Sequence, residues 1–188
     1  EIDKIVVVVN EKWQDFVEEY AKKYGVTKIC GYAPAGETRQ HSIYNGLKCI
    51  DKNAHDTDIV IVHDAARPLV SNQIISDCIK GAKECDGAMP VISVKDTVYQ
   101  SADGMQIDRL LKRSELFAGQ APESFDFKKY YKIHNEVSDD EIALTAGSSE
   151  IAYRHGMKIR MVKGSERNLK ITTVEDLETF ETILKGVN

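Results

Sequence analysis

The stretch from Asp58 to Pro68, D-I-V-I-V-H-D-A-A-R-P, constrains the fold more than any other part of the chain. The β-branched run from Ile59 to Val62 predicts a strand that is buried on both faces, as the central strands of parallel sheets are. Because ligands bind beyond the carboxyl ends of strands in an open α/β sheet, the charged residues that follow form a candidate site. On the local sequence alone, an Asp–Arg ion pair that merely closes the strand explains them equally well.

The residue types in this cluster suit the handling of phosphate groups. The Asp64 carboxylate can hold a hard cation through oxygen, and Arg67 offers a planar fork of donors to a phosphate. The small side chains of Ala65 and Ala66 leave room for a substrate to approach the backbone. Pro68 ends the strand because it has no N–H to donate to a neighbour.

Elsewhere the chain alternates apolar runs with amphipathic patterns, which favours an α/β fold with an open, mostly parallel sheet. Further strands are predicted at 5–9, 28–31, 87–94 and 157–162, and a short one after the loop 163–172. Helices are predicted at 13–24, from about 43 to 50, after a Ser71 cap, at 127–136, at 139–155 and at the end of the chain. Gly25 is expected to stop the first helix, and its apolar residues to form a buried face. The last helix is expected to begin with a capping box of Thr172 and Glu175 and to bury Leu177, Phe180, Ile183 and Leu184.

A hairpin-like segment interrupts the alternation after Val94. Alternating residues at 95–99 and 105–108 flank a turn at Ala102-Asp-Gly104, and no helix follows to cover them. This arm, about 94–120, is therefore expected to project and to pack on a second subunit. The alternative is an excursion that folds back on its own domain.

Size and charge narrow the classes of function. A chain of 188 residues is most simply one domain, here 1–188, and a net charge of −5 gives no general attraction to nucleic acid or to an anionic membrane. No apolar run approaches the roughly 20 residues that span a bilayer, and no signal peptide is recognised. The four cysteines form no C-x-x-C pair, which favours buried thiols over a zinc site and the cytoplasm as the compartment.

Four motifs, taken together and in order, resemble one enzyme family. They are H-D-A-A-R-P, V-K-D-T-V, F-A-G-Q-A-P-E-S-F and N-L-K-I-T-T-V-E-D-L, and they span nearly the whole chain. The chain resembles the 2-C-methyl-D-erythritol 4-phosphate cytidylyltransferases and the related ribitol-5-phosphate cytidylyltransferases. The resemblance implies a Rossmann-like nucleotidyltransferase sheet, transfer of CMP from CTP to a polyol phosphate with Mg²⁺, and a homodimer formed through the arm.

The resemblance also implies roles for individual residues. Lys170 and Asp64 are expected to be catalytic, with Asp64 also contacting Mg²⁺. The nucleotide is expected at Gly36, Glu37, Ser42 and Ala65, and the polyol phosphate at Arg67, Thr97, Arg113 and Thr145. Thr97 and Arg113 would reach the substrate of the other subunit, because both lie on the arm.

The chain also departs from the family pattern. The family opens with a glycine-rich loop, L-x-A-G-G-x-G-x-R followed by P-K, which wraps the CTP triphosphate, and nothing in this sequence matches it. We expect an amino-terminally shortened form of a longer protein, the alternative being a degenerate member with a weakened hold on triphosphate. Ala121 replaces a threonine, and Thr145-Ala-Gly147 lacks the aspartate that usually follows the threonine.

Several functions stay open on the sequence alone. H-D-A-A-R-P favours methylerythritol phosphate as the acceptor, whereas Ser138-Asp-Asp-Glu141 is closer to the ribitol branch. A non-catalytic nucleotide-binding relative and a nucleotidyltransferase for another base and sugar phosphate are the remaining alternatives.

Overall fold

The computed structural model describes residues 1–52 and 54–186. The strands are β1 (Ile5–Val9), β2 (Ile29–Pro34), β3 (Ile59–Val62), β4 (Gly87–Ser93), β5 (Tyr99–Gln100), β6 (Arg109–Leu110), β7 (Phe117–Gly119), β8 (Glu123–Asp126) and β9 (Ile159–Lys163). The α-helices are α1 (Glu11–Lys23), α2 (Arg39–Asp51), α3 (Asn72–Glu84), α4 (Phe127–Glu136), α5 (Asp139–Leu144), α6 (Ser148–Arg154) and α7 (Val174–Leu184), with a 3₁₀ turn at Arg113–Glu115.

The main sheet has the order β3-β8-β4-β7, with β9 beside β4, while β1 and β2 form a separate parallel pair. The α/β class is confirmed, but the main sheet is mostly antiparallel rather than mostly parallel. Only β4 and β9 run parallel within it; the β3–β8, β4–β8 and β4–β7 pairs are antiparallel. The reason is that β7 and β8 return directly from the arm, without a crossover helix, so they run against β3 and β4.

The core lies between this sheet and helices α2, α4 and α6. Phe125 on β8 and Tyr130 on α4 are fully buried, and their rings stack with centroids 4.1 Å apart. Leu47 and Ile43 from α2 pack against the same cluster. This core fixes the carboxyl end of β3, because β3 pairs with β8 along its whole length.

Helix boundaries follow the local capping chemistry. Gly25, with φ +66°, ends α1 as predicted, and the Ser71 hydroxyl accepts a hydrogen bond from the Ile74 N–H at the start of α3. The single helix predicted over 139–155 is wrong: Thr145 and Gly147 have extended backbone and separate α5 from α6. The capping box of α7 is one residue later than predicted, at Thr173 and Asp176.

Two helices and one strand are less covered than their sequences predict. Every residue of β1 is only half-buried, and no residue of α1 or α7 is fully buried. The expectation that Leu177, Phe180, Ile183 and Leu184 are buried is therefore wrong; Leu184 is 62% exposed, for example. An amphipathic pattern identifies the apolar face of a helix, but burial also needs an element opposite that face.

The arm contains the predicted hairpin, with different strands. Tyr99 pairs with Leu110 and Gln100 with Arg109, so residues 105–108 belong to the loop rather than to a strand. The Asp103 carboxylate accepts from the N–H groups of Met105 and Gln106 and holds that loop. Within the described residues, no strand follows the loop 163–172.

The cysteines are free thiols, and only Cys78 is fully buried; Cys30 is exposed. The expectation that all four are buried is therefore wrong. None of the helices within residues 1–52 and 54–186 is long and apolar enough to cross a membrane.

Candidate active site

The charged residues that follow β3 meet the loop before α7. The Lys170 Nζ lies 3.3 Å from Asp64 Oδ2, and the Arg67 Nε lies 3.7 Å from the same oxygen. The Ile171 N–H also donates to the Ala66 carbonyl at 2.8 Å, which ties the two loops together. The structure thus brings together Asp64, Arg67 and Lys170, which are 106 residues apart at the extremes (170 − 64).

A second arginine, Arg39, completes this cluster. It lies in the first turn of α2, and its Nη2 donates to Asp64 Oδ1 at 3.0 Å. Sequence reasoning missed Arg39, although it lies within the predicted nucleotide turn, between Gly36 and Ser42. A carboxylate that is mostly buried is therefore surrounded by three cationic side chains.

Glu123, which sequence reasoning also missed, contacts Arg39 from the start of β8. Its Oε2 accepts from both the N–H and the hydroxyl of Ser149, at 2.7 and 2.6 Å, and its Oε1 lies 3.4 Å from Arg39 Nη2. The side chain is 9% exposed, so the carboxylate depends on these partners for its stability. Its position inside F-A-G-Q-A-P-E-S-F was the available signal.

The loop that presents Lys170 is held by amide side chains. Gln120 donates to the Ser165 carbonyl at 2.9 Å and accepts from the Ser165 N–H at 3.1 Å. The buried Asn168 donates to the Ala121 carbonyl at 2.8 Å, and the Asn168 carbonyl accepts from Arg67 Nη1 at 2.6 Å. Lys170 therefore extends from a fixed backbone rather than from a free loop.

The electrostatics of the cluster favour its charged state. Burial alone would raise the pKa of the Asp64 carboxyl, but the hydrogen bond and charge of Arg39 and the charge of Lys170 outweigh burial and hold that pKa below its ordinary value. For Arg39, burial acts to lower the pKa, and the Asp64 and Glu123 carboxylates more than compensate and raise it. Burial lowers the pKa of the neighbouring His63. At neutral pH the site therefore holds an ionised carboxylate among fixed cations.

These residues line a cavity of about 520 Å³. Its polar wall includes Arg39, Asp64, Arg67, Gln120, Glu123, Ser149 and Lys170, and its apolar wall includes Met89, Tyr153, Ile159 and Met161. A cavity of this size holds a small phosphorylated molecule, and its cations could neutralise more than one phosphate charge.

The predicted nucleotide turn lies beside this cavity. The Ser42 hydroxyl accepts from the Gly36 N–H at 2.9 Å, and a Cβ at position 36 would lie 2.4 Å from the His41 Cβ, so only glycine fits there. Thr38 then caps α2 by accepting from the His41 N–H. None of Gly36, Glu37, Ser42 and Ala65 lines the cavity itself, and Glu37 and Ala65 are exposed. The nucleotide-binding role of these four residues stays a prediction.

The remaining predicted residues lie outside the cavity of the single chain. Thr97 and Arg113 are exposed on the arm, and Arg113 donates to the Lys95 carbonyl at 2.8 Å. Thr145 is 5% exposed, and its hydroxyl donates to the Glu141 carbonyl at 2.8 Å. Its neighbours Ala146 and Gly147 line the cavity instead. The roles predicted for these three residues stay predictions.

Comparison with known proteins is consistent with this geometry. The family model described as 2-C-methyl-D-erythritol 4-phosphate cytidylyltransferase matches residues 1–186. The chain is 38% identical to the enzyme of that name from Clostridium beijerinckii, over 99% of this chain and 80% of that protein. It is 30% identical to a ribitol-5-phosphate cytidylyltransferase from Streptococcus agalactiae, over 97% of this chain and 76% of that protein.

Solved structures agree. The crystal structure of 4-diphosphocytidyl-2C-methyl-D-erythritol synthase from Anaerococcus prevotii superposes with a TM-score of 0.85 at 26% identity, covering 98% of this chain and 79% of that one. The 2-C-methyl-D-erythritol 4-phosphate cytidylyltransferase from Francisella tularensis gives a TM-score of 0.80 at 29% identity, covering 96% and 80%. The Rossmann-like nucleotidyltransferase fold is thereby confirmed.

Proposed function

Because the chain belongs to the 2-C-methyl-D-erythritol 4-phosphate cytidylyltransferase family, we propose that it transfers CMP from CTP to 2-C-methyl-D-erythritol 4-phosphate and releases pyrophosphate. One observation carries this proposal: three cationic side chains surround the Asp64 carboxylate in a cavity beside the Gly36–Ser42 turn. The site thus provides a place for an anionic acceptor next to a place for a nucleotide.

The chemistry asks little of the protein beyond positioning and charge. A phosphate oxygen of the polyol phosphate attacks the α-phosphorus of CTP, a new P–O bond forms, and the bond to the β-phosphate oxygen breaks as pyrophosphate leaves. Lys170 and Arg67 offset the negative charge that builds up around the α-phosphate and the attacking phosphate. Lys170 suits this role because its side chain is 42% exposed and reaches the cavity from a loop that is held at both Gln120 and Asn168.

The residues of the site fit a magnesium ion held mainly by substrate. Within the described ranges, no group of three or more His, Cys, Asp or Glu side chains forms a metal cage. Mg²⁺ is commonly bound by one or two carboxylates together with substrate phosphates and water, and Asp64 supplies such a carboxylate at the cavity wall. When bound, the ion would neutralise phosphate charge. Lys170 and Arg67 would then be available to the phosphate groups.

Methylerythritol phosphate is the preferred acceptor for a simple reason. The relative named for it is 38% identical to this chain, and the relative named for ribitol 5-phosphate is 30% identical. Ribitol 5-phosphate is the second candidate acceptor, since Ser138-Asp-Asp-Glu141 is closer to that branch. We place the enzyme in the cytoplasm, where CTP is available and the free state of all four thiols would be maintained.

The arm supports a proposal of homodimerisation. Its apolar side chains are largely exposed in the single chain: Tyr99 55%, Met105 87%, Ile107 65%, Leu110 63% and Phe117 45%. A second copy that covers them would also bring Thr97 and Arg113 toward the cavity of its partner. The polyol-phosphate pocket is then completed only in the dimer.

The test is a pyrophosphate-release assay on the protein expressed from its full gene, with CTP, Mg²⁺ and each of the two polyol phosphates. We expect turnover with methylerythritol phosphate at least tenfold faster than with ribitol 5-phosphate at equal concentration. Faster turnover with ribitol 5-phosphate would identify that compound as the acceptor instead. Binding of CTP without release of pyrophosphate from either mixture would favour a non-catalytic relative, and faster turnover with UTP or GTP would overturn the assignment of the base.

A further inference from the structure

We propose that Arg39 is a positioning residue for the reaction: it holds the Asp64 carboxylate so that Lys170 stays available to the α-phosphate. The inference rests on the proposed function, and it assigns Arg39 a role that neither the sequence motifs nor the family resemblance supplied. Arg39 lines the cavity and lies between Gly36 and Ser42 in the chain, and it reaches the Asp64 carboxylate.

The geometry places Arg39 among three separate segments. Its Nε and Nη2 both donate to Asp64 Oδ1, at 3.3 and 3.0 Å, after β3. Its Nη1 donates to the Ser148 hydroxyl at 2.7 Å, at the start of α6. Its Nη2 also reaches Glu123 Oε1 at 3.4 Å, at the start of β8. Every nitrogen of the guanidinium group therefore has an acceptor.

Glu123 makes this arrangement rigid. Its other oxygen, Oε2, is already occupied by the N–H and hydroxyl of Ser149, so the carboxylate cannot turn to follow Arg39. Arg39 thus binds the fixed, buried Glu123 carboxylate on one side and the Asp64 carboxylate on the other. The planar fork of arginine donates to these acceptors from three separate nitrogen atoms, whereas a lysine ammonium donates all of its hydrogen bonds from one nitrogen.

The consequence for catalysis follows from which oxygen each cation uses. Arg39 takes Oδ1 of Asp64, whereas Lys170 and Arg67 approach Oδ2. If Arg39 is absent, Asp64 loses both hydrogen bonds to its Oδ1, and its most direct remaining partner is Lys170. The carboxylate would then turn toward Lys170 and pair with it more closely, which withdraws the lysine charge from the reacting phosphate. The loss should appear in kcat more than in the binding of CTP.

The experiment compares Arg39→Ala and Arg39→Lys with the unaltered protein, with kcat and both KM values measured by pyrophosphate release. We expect Arg39→Ala to lower kcat about 100-fold, the size of effect that a misplacement of about 1 Å produces. KM for CTP should change less than threefold. Arg39→Lys should recover no more than about a tenth of the lost rate, because it restores charge without the fork. The control is Arg160→Ala, which removes an exposed arginine paired with Glu84 and should leave kcat and both KM values unchanged.

A crystal structure of Arg39→Ala supplies a readout that does not depend on turnover. We expect the Asp64 carboxylate to rotate toward Lys170; an unchanged Asp64 overturns the positioning role whatever the kinetics. Full recovery of kcat in Arg39→Lys, or a loss confined to KM for CTP with a lower melting temperature, would show a structural role in the nucleotide turn instead. If the unaltered protein transfers no CMP, the proposed function fails, and the Asp64 orientation alone then decides the inference about Arg39.

Discussion

Two rows of aromatic side chains in this molecule differ in how far they are buried. On α1, Trp13, Phe16, Tyr20 and Tyr24 lie ring beside ring along one face, with the Phe16 and Tyr20 centroids 4.4 Å apart, yet they are 40–70% exposed. On β8 and α4, Phe125 and Tyr130 stack at 4.1 Å and are fully buried. Both rows are apolar and both are ordered, so what differs is whether another element lies opposite. The buried row supports the site, and the exposed row supports nothing within the described chain.

The comparison is tested most directly by removing one ring from each row. We expect Phe125→Ala to lower the free energy of unfolding by about 3–5 kcal/mol, because a fully buried phenyl ring leaves a cavity. Phe16→Ala should cost less than about 1 kcal/mol, since half of its ring is already in water. Urea unfolding at 25 °C measures both. A cost for Phe16→Ala that matches Phe125→Ala would mean that the α1 row is covered in solution.

The Asp64→Ala substitution tests whether the site can lose activity while the core beneath it stays folded. Removing the carboxylate leaves Arg39, Arg67 and Lys170 without their common partner, and we expect kcat to fall about 10²–10³-fold, by analogy with other preorganised polar groups. The circular dichroism spectrum should be unchanged, because the core beneath β3 is intact. Asp15→Ala, on the exposed face of α1, is the matched control and should retain full activity. A fully active Asp64→Ala variant would remove Asp64 from the proposed mechanism.

The smallest expected effect concerns the arm. Arg113→Ala should raise KM for the polyol phosphate about tenfold, the loss expected for one charged hydrogen bond of about 1.5 kcal/mol, with KM for CTP nearly constant. Thr97→Ala should act in the same direction. Arg109→Ala, an exposed arginine on the same arm, is the control of equal charge. Equal changes in both KM values would argue against a substrate pocket that the arm completes.

The sequence predicted the features that depend on neighbouring residues and missed those that depend on residues far apart in the chain. The strand Ile59–Val62, the Gly25 stop and the Ser71 cap are local features, and local chemistry predicted each of them. The strand β8 was not predicted, because its four residues, Glu123 to Asp126, carry no apolar run and their pairing with β3 spans more than sixty positions. The break between α5 and α6 was missed because 139–155 has a continuous helical period, although Gly147 lies within it.

The same distinction applies to the site. Asp64 and Lys170 came from motifs, and the structure brings them together. Arg39 and Glu123 were missed because a charged residue in the first turn of a helix, or at the start of a short strand, is ordinarily solvated. Only the folded arrangement shows that these two side chains contact each other at the wall of the cavity. Conversely, the helical period of α7 predicted burial that the chain does not provide.

Gln120 links the arm to the loop that carries Lys170, so these two segments cannot change in sequence independently. It closes the arm at one end, and its amide group holds the Ser165 backbone of the loop that carries Lys170. Sequence drift in the arm can therefore alter its outer surface, as long as it stops short of position 120. A change at that position would disturb the backbone that carries Lys170, so we expect variation to be tolerated along the arm, apart from Thr97 and Arg113, and selected against at position 120.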